Sequence, residues 1–456
     1  MHGSVADGHR LAKVRPPDQH LSPLRLIRTV VRNPIETWPK PVYEQPLYRS
    51  RFLGREIIFV MEPDLIRQVL VDQADAFVKA ESLRRALQPL LGDAILTADG
   101  ARWRWQRQAA APIFRPDQIR SFVPAMVAAA ERRRALWLSR IGEEVNVAQK
   151  MMHTTFDIIA ETMLSSQGRA DVSRVEQAFT DYLNTTSWVI ALILLRAPRW
   201  MPYPGRRRAE RARDYLRGEV ARIVSERRHG DQAYPDLITR LLKATDPETG
   251  RAMSDRDMVD NVLTFITAGH ETTALALTWT FYLLSLHPEI EERVVQEIEA
   301  VTQGSALREE HVEALSYTRQ VILEAMRLYP PAPVVVRTAT RDVSLGAEVI
   351  RAGSPTYIPI YAIQRHRLLW DEPDTFDPDR FAPDAVKARH RYAYLPFGAG
   401  PRICIGMSFA LSEAVVILAT LLRSVRLSLR PSFVPELKQR VTLRPAAGMP
   451  MRIQSR

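Results

Sequence analysis

The sequence has almost no cysteine: Cys404 is the only one among 456 residues. A single thiol excludes an intramolecular disulfide and any structural zinc site that needs several thiolate ligands. A lone cysteine in a chain of this length is usually a small buried hydrophobic residue. Whether Cys404 does more than fill space therefore depends on its sequence neighbours.

The sequence also lacks a long hydrophobic run. No stretch approaches the ~18 consecutive apolar residues that a membrane-spanning helix needs. The longest apolar stretch outside helical patterns runs from Trp188 to Leu195, and Met1 to His20 contain no apolar segment typical of a secretory signal. We therefore expect a cytoplasmic protein without a transmembrane anchor, in which residues 1–20 form a flexible N-terminal segment.

Acidic residues are outnumbered, 52 against 63 lysines and arginines, and the net charge is +11. The arginines are spread through helical segments beside acids, as in Glu131 to Arg134. No basic strand is interleaved with aromatic residues that would stack on bases. We therefore expect no nucleic-acid partner, and the excess positive charge favours an acidic protein partner.

The patterning indicates one mainly α domain that spans residues 1–456, because no internal repeat or low-complexity linker divides the chain. Arg51 to Val60 predict a β-hairpin around Gly54. The chain is then mostly helical to about residue 328. Short strands follow around residues 334–337 and 356–360, and a final apolar helix is predicted from about Met407 to Leu422. We expect an α-rich body with a small β-rich side.

The longest predicted helix begins near Ser254, an N-cap residue that forms a capping box with Asp257. It ends at His287, because proline follows at position 288. Roughly 33 residues at ~1.5 Å each span about 50 Å. The helix is apolar around most of its circumference, so it should cross the core. A polar cluster interrupts it at residues 269–273, where buried polar groups cost free energy unless they are paired or used.

The segment around the cysteine reads Phe397-Gly398-Ala399-Gly400-Pro401-Arg402-Ile403-Cys404-Ile405-Gly406. A thiolate that binds haem iron favours cleavage of the O–O bond, and it needs backbone N–H groups directed at the sulfur. The glycines allow tight turns and close approach of the backbone, and the helix that starts after the cysteine favours an anion at its N-terminal end. Phe397 would shield the sulfur, and Arg402 would pair with a haem propionate.

This segment resembles the haem-binding loop of the cytochrome P450 family, phenylalanine-x-x-glycine-x-arginine-x-cysteine-x-glycine, with every fixed position matched. The resemblance implies the family's fold: an α-rich triangular body with a small β-sheet subdomain and a long central helix through the core. It also implies haem b as the cofactor, with Cys404 as its iron ligand and Gly406 beside it.

Further matches follow the family's order. Glu324 and Arg327 match its Glu-x-x-Arg pair, and Arg380 would complete a structural network beneath the cysteine loop. Trp103 and Arg107 match its Trp-x-x-x-Arg helix and would both donate to a propionate. Arg102 and Arg104 lie on the same helix and are expected to face the proximal surface. Arg337 is expected to reach a propionate from a strand.

The polar cluster of the long helix resembles the family's oxygen-binding groove. The resemblance implies that small Ala268 lets the helix pass near the porphyrin and that Gly269 leaves space for dioxygen. Thr272 and Glu271 would relay protons. Alternatively, the Thr272 hydroxyl only bonds to a helix carbonyl and Glu271 is an ordinary exposed acid. His270 is a competing candidate for the iron ligand, although the matching family position usually points away from the iron.

The resemblance implies a monooxygenase that inserts one atom of O₂ into a lipophilic substrate while the other becomes water. Because the sequence ends soon after the last helix, we expect the two electrons to come from NAD(P)H through a separate acidic ferredoxin or flavodoxin and its reductase. We expect a soluble bacterial monomer, closer to the fatty-acid-hydroxylase and microsomal-like branch. The predicted substrate-pocket residues are Ile95, Leu96, Ala268, Ala332 and Val334.

Three alternatives are open at this point. A peroxide-driven peroxygenase or fatty-acid decarboxylase shares the fold, but such members replace the acid–threonine pair that is intact here. A haem-binding sensor would bind the cofactor without turnover. A basic interaction protein without haem would show no haem absorbance.

Overall fold

The computed structural model describes residues 11–165, 172–229, 236–246 and 248–456. Its helices, numbered in chain order, are α1 (Pro23–Arg32), α2 (Pro63–Arg67), α3 (Glu81–Leu91), α4 (Gly100–Ala110), α5 (Pro116–Leu138), α6 (Val147–Met163), α7 (Val172–Leu183), α8 (Thr186–Leu194), α9 (Arg206–His229), α10 (Leu237–Lys243), α11 (Asp255–Leu286), α12 (Pro288–Thr302), α13 (Glu309–Ala314), α14 (Ser316–Leu328), α15 (Ile360–Ile363), α16 (Pro383–Ala388) and α17 (Met407–Leu422). The mainly α fold class is therefore confirmed.

The strands are short, and they form a small β-rich side. They are β1 (Leu47–Phe52), β2 (Arg55–Val60), β3 (Phe77–Lys79), β4 (Glu144–Asn146), β5 (Val335–Ala339), β6 (Val343–Leu345), β7 (Glu348–Ile350), β8 (Pro355–Ile358), β9 (Val425–Leu429), β10 (Leu437–Gln439), β11 (Leu443–Pro445) and β12 (Pro450–Ser455). The largest sheet has the order β1-β2-β8-β5-β3. All its pairs are antiparallel except β2–β8, which is parallel. The predicted hairpin around Gly54 is β1–β2.

Helix α11 is the long helix predicted from the sequence. The Ser254 hydroxyl accepts a hydrogen bond from the Asp257 amide, and the Asp257 carboxylate accepts one from the Ser254 amide. These bonds satisfy two N–H groups that lack a partner inside the helix. The helix ends at Leu286, shortly before Pro288, and packs against α6, α9, α14 and α17. It therefore crosses the core, as expected, and presents its polar cluster to the interior.

Part of the N-terminal segment packs against the core. Residues 1–10 lie outside the described residues, but Ala12 and Val14 are buried in the core. The Ala12 amide donates to the Tyr282 hydroxyl, and the Val14 amide donates to the Tyr361 hydroxyl. Two backbone amides of this stretch therefore have buried tyrosine hydroxyls as partners, and the flexibility of residues 1–20 stays a prediction. Among the described residues, no helix is long and apolar enough to cross a membrane.

Candidate active site

Cys404 lies in the wall of an internal cavity of about 480 Å³. Helices α3, α4, α6, α8, α11, α14 and α17, strand β5 and the turn between β10 and β11 contribute to this cavity. The thiol is exposed to the cavity, although protein surrounds it on its other sides. A cavity of this size is in the range of small-molecule and cofactor sites.

The loop before Cys404 is tightly folded. Gly400 has φ +69°, and a Cβ atom at this position would lie 2.0 Å from the Leu70 carbonyl oxygen. Only glycine satisfies both demands without strain. The Cys404 amide donates to the Phe397 carbonyl at 2.9 Å, which closes the turn. Phe397 itself lines the cavity.

The surroundings of the Cys404 sulfur act in opposite directions on its protonation. Burial raises the pKa of the thiol, whereas the Gly406 amide and the Arg107 guanidinium lower that pKa. Helix α17 begins at Met407, three residues after the cysteine. The Gly406 backbone N–H therefore lies near the sulfur, and this arrangement suits a thiolate that binds a metal.

Four basic side chains line one part of the cavity: Lys79, Arg107, Arg337 and Arg402. Arg402 donates to Asp99 at 2.6 Å and to the Ala98 carbonyl at 3.0 Å, so its charge is balanced. The Arg107 and Arg337 guanidinium groups donate only to the neutral Ile403 and Val336 carbonyls among the described residues. The three arginines were predicted from the sequence, whereas Lys79 was not, because a lysine in a three-residue strand carries no local signal.

The buried positive charge of this cluster is only partly balanced by acidic groups. Burial lowers the pKa of Arg337 to about 10 and the pKa of Lys79 well below its usual value, and nearby Arg402 lowers both. Asp99 acts in the opposite direction on each of them. Buried charges without partners are costly, so this cluster fits a ligand that brings anionic groups. The two propionates of haem are such groups.

Trp103 lies between two of these arginines. Its ring is 4.2 Å from the Arg402 guanidinium carbon and 6.0 Å from that of Arg107, and it lines the cavity. The i, i+4 spacing on α4 therefore brings Trp103 and Arg107 to the same side of the helix, as predicted. Together with Cys404 and the basic cluster, these residues fit a haem, with its iron at the sulfur and its propionates at the cations.

The polar cluster of α11 faces the cavity with Ala268, Gly269, Glu271 and Thr272. The Thr272 hydroxyl donates to the Ala268 carbonyl at 2.7 Å, which is the helix back-bond considered as an alternative. Ala268 is exposed to the cavity. Gly269 lines the cavity, and a Cβ atom there would in addition lie 2.4 Å from Ile159 Cδ1 of α6. Its small size therefore allows α11 to pack closely on α6.

Glu271 is not an ordinary exposed acid. It is buried and forms an ion pair with Arg444, and it accepts a hydrogen bond from the Thr442 hydroxyl. Both partners belong to the β10–β11 region, far along the chain from α11. The acid expected to work with Thr272 is therefore held by two partners, neither of which the sequence analysis had named.

His270 lies outside the cavity lining. It is buried, its Nδ1 lies 2.6 Å from the Ile266 carbonyl oxygen, and its ring packs against Phe156 and Phe179. Burial lowers the pKa of His270. The side chain therefore faces α6 and α7, in agreement with the expectation that it does not compete for the iron.

Glu324, Arg327 and Arg380 come together as expected, away from the cavity lining. Arg327 Nε lies 2.7 Å from Glu324, and both side chains are fully buried. Arg380 Nε is 3.7 Å from Glu324 Oε1. Arg327 also donates to the carbonyls of Gln364, Pro373 and Thr375. These bonds fix the irregular segment after β8 onto α14.

The remaining cavity wall is mostly apolar. All five predicted pocket residues, Ile95, Leu96, Ala268, Ala332 and Val334, line it. Further apolar residues line the cavity that were not predicted from the sequence, and they include Leu87, Phe114, Ile190, Phe265 and Val441. These residues come from separate elements, so only the fold brings them to one wall.

Comparisons with known proteins agree with this geometry. The sequence profile of the family described as Cytochrome P450 matches residues 40–449. The chain is similar to cyclooctat-9-en-7-ol 5-monooxygenase from Streptomyces melanosporofaciens, with 34% identity over 81% of the chain and 79% of that protein. It is also similar to cyclooctatin synthase from the same organism, with 31% identity over 98% of the chain and 92% of that protein.

A solved structure supports the same assignment. The crystal structure of the cytochrome P450DA heme domain covers 98% of both chains with a TM-score of 0.85 and 26% sequence identity. The agreement extends over the helical body and the small sheets together.

Proposed function

The chain belongs to the cytochrome P450 family, and from this premise we propose that Cys404 holds the iron of a haem b in the cavity. Monooxygenase activity and haem follow from the family. The observation that carries the proposal is the exposure of the only thiol to a cavity whose wall also contains the basic cluster. When bound, the haem supplies the activation of dioxygen, of which one atom enters the substrate and the other becomes water.

The basic cluster orients the cofactor in this proposal. Arg107, Arg337 and Lys79 bind the propionates, and Trp103 donates its indole N–H to one of them. Arg402 is paired with Asp99 at 2.6 Å, so it joins the propionate site only by sharing its donors. The Gly406 amide donates towards the Cys404 sulfur and limits its basicity.

Thr272 and Glu271 lie on the opposite wall of the cavity and transfer protons in this proposal. The Thr272 hydroxyl now donates to the Ala268 carbonyl, and rotation about its Cα–Cβ bond would direct the same O–H into the cavity. The Arg444 guanidinium and the Thr442 hydroxyl both contact Oε1 of Glu271, so the other carboxylate oxygen is the one that would exchange a proton with Thr272 in this proposal. We assign proton delivery to Thr272 and a supporting role to Glu271.

The substrate is proposed to be lipophilic. The apolar wall between α3, α8 and α11 excludes water and offers few polar contacts, so a mostly hydrocarbon molecule suits it. One relative named above is a monooxygenase of cyclooctat-9-en-7-ol, a compound with a single hydroxyl group by its name. A screen for substrate-induced changes in the haem spectrum, with terpenoids and fatty acids as separate sets, tests this choice.

The electrons are proposed to come from NAD(P)H through a separate acidic ferredoxin or flavodoxin and its reductase, in the cytoplasm. The net charge of +11 supports an acidic donor. Helix α4 is tied to the cysteine loop by the bond from Arg107 to the Ile403 carbonyl and by the pair of Arg402 with Asp99. The exposed side of α4 is therefore the proposed docking surface.

The absorbance spectrum tests the central proposal. Reduced protein under carbon monoxide should show the strongly red-shifted Soret band of thiolate-ligated haem. Cys404→Ser should lose this band, and Arg402→Lys, which leaves the thiol intact, should keep it. Retention of the band in Cys404→Ser would refute the assignment, because the chain contains no second thiol. A protein without haem absorbance would be a haem-free interaction protein.

A further inference from the structure

Arg440 is a further cation on the cavity wall, apart from the basic cluster. It lies in the turn between β10 and β11, whereas the members of the cluster come from β3, α4, β5 and the cysteine loop. Burial lowers the pKa of Arg440, nearby Arg444 lowers it further, and no acid among the described residues acts in the opposite direction. The function proposed above gives this charge no role, because it assigns both propionates to the basic cluster.

The hydrogen bonds of Arg440 leave its charge without a counter-ion. Its Nε lies 3.5 Å from Asn184 Oδ1, and its Nη1 donates to the Ser187 hydroxyl at 3.2 Å. Nη1 also donates to the carbonyls of Arg32 and Gln439, at 3.2 and 3.1 Å. All these acceptors are neutral, and Nη2 has no hydrogen-bond partner in the described part of the chain. The guanidinium is therefore held in place but keeps a free N–H₂ group.

Glu271 does not balance this charge, because its carboxylate already has partners. It forms an ion pair with Arg444 and accepts a hydrogen bond from the Thr442 hydroxyl. Gln439, which lines the cavity next to Arg440, is buried, and its Oε1 has no hydrogen-bond partner among the residues that the structure describes. A ligand that reaches this turn therefore meets an unpaired cation beside an amide with unused hydrogen-bonding capacity.

A carboxylate is the ligand group that suits this arrangement. A guanidinium binds a carboxylate through parallel N–H donors, and such charge-assisted bonds are stronger than bonds between neutral groups. The Arg440 side chain is partly exposed to solvent. A carboxylate bound there keeps part of its hydration, so its desolvation costs less than it would in the core. The rest of the wall is mostly apolar and suits a hydrocarbon body.

We propose that Arg440 is a specificity-determining residue that selects lipophilic carboxylic acids as substrates. The ionised carboxylate binds the Arg440 guanidinium, and the hydrocarbon body lies along the apolar wall. The Gln439 amide offers a second polar contact at the same end. This inference rests on the proposed monooxygenase function and narrows its substrate class.

Matched ligands test the preference for a carboxylate. The haem-loaded protein is titrated with pairs that differ only at the polar end: dodecanoic acid and 1-dodecanol, farnesoic acid and farnesol, abietic acid and abietinol. Calorimetry and substrate-induced changes in the haem spectrum give the Kd of each ligand. At least one acid should bind about fivefold more tightly than its alcohol, because a charge-assisted bond at a partly exposed site adds that much. If no acid binds more tightly than its alcohol, the proposal is overturned.

Variants assign the preference to Arg440. Arg440→Gln should remove the preference for the acid and leave the Kd of the alcohol unchanged, whereas Arg440→Lys should keep part of the preference because it keeps the charge. Lys438→Met is the matched control, since it removes a positive charge from the neighbouring strand β10 at a position that does not line the cavity. It should keep the full preference.

Three outcomes with these variants would overturn the proposal. Equal loss of preference in Lys438→Met and Arg440→Gln would assign it to net charge. Equal weakening of acid and alcohol binding in Arg440→Gln would show that Arg440 only maintains the turn. Faster haem loss in Arg440→Gln would place a propionate on Arg440.

The proposed function can fail separately. If the unmodified protein shows the carbon monoxide band but no preference for acids, only the substrate inference is refuted. Absence of that band would refute the proposed function, whereas calorimetry would still report whether Arg440 binds the acids.

Discussion

Lys79 and Arg337 are directly opposite each other on the antiparallel strands β3 and β5. Both side chains line the cavity, and burial with mutual proximity lowers the pKa of Lys79. Like charges in opposed positions destabilise a sheet. The pair is therefore unfavourable for the empty protein and favourable once a ligand supplies negative charge, which ties haem binding to the stability of this sheet.

Replacement of Arg337 should separate these two effects. Arg337→Met should stabilise the haem-free protein by about 1 kcal/mol, because a repulsive contact disappears. It should weaken haem binding by about 1–3 kcal/mol, because a charge-assisted bond to a propionate is lost. Thermal unfolding of the haem-free protein measures the change in stability. The rate of haem transfer to an acceptor protein measures the change in haem binding. Arg341→Met, at the exposed pair with Asp75, is the control and should change neither by much. Faster haem loss without stabilisation of the haem-free protein would contradict the charge explanation.

The lowered pKa of Lys79 predicts a pH dependence. The unfolded chain binds a proton at Lys79 up to about pH 10.4, whereas the folded haem-free protein releases it at lower pH. The contribution of Lys79 to the stability of the folded protein is therefore complete above about pH 10.4. It is lost as the pH falls through the pKa of Lys79 in the folded state. Urea unfolding of the haem-free protein should show stability that rises with pH in this window, and Lys79→Met should remove the slope. The same slope in Lys79→Met would assign it to another group.

Thr272 should control how efficiently electrons are used. Thr272→Ala should retain haem and substrate-induced spectral changes but divert NAD(P)H consumption into peroxide, because the proposed proton donor is lost. Thr267→Ala is a matched control, since Thr267 lines the same cavity and makes the same type of bond, to the Leu263 carbonyl. The ratio of product to NAD(P)H oxidised should fall only in Thr272→Ala. Equal ratios in both variants would remove Thr272 from proton delivery.

The electron donor should dock through a smaller set of arginines than the sequence suggests. Arg102 was expected to face the proximal surface, but it forms an ion pair with Asp257 at the start of α11. Arg104 is exposed and has no ion-pair partner among the described residues. Reduction of the haem by an acidic ferredoxin should slow as salt shortens the Debye length from ~10 Å at 0.1 M to ~3 Å at 1 M.

Charge reversal locates this surface. Arg104→Glu should slow haem reduction at low salt, as measured by stopped flow, and should leave substrate-induced spectral shifts intact. Arg207→Glu, which changes the net charge equally on α9, should have a smaller effect. If the two variants slow reduction to the same degree, net charge rather than a docking surface is responsible.

The sequence by itself determined the features that depend on local chemistry. The loop around Cys404 needs glycine at Gly400, where φ is positive, and this demand is local to the turn. The limits of α11 follow from the Ser254 capping box and from Pro288, which act within one turn of the helix. The location of Trp103 and Arg107 on the same side of α4 follows from helical spacing alone.

Only the tertiary structure decided which distant groups meet. Lys79 reaches the basic cluster because β3 pairs with β5, and Glu271 is held by Arg444 because the β10–β11 region folds back onto α11. Gly269 of α11 approaches Ile159 of α6 because these two helices pack side by side. Each of these contacts joins segments that are far apart in the chain. Packing decides the burial and the charge balance of these residues, so neither segment carries a sequence pattern that predicts the contact.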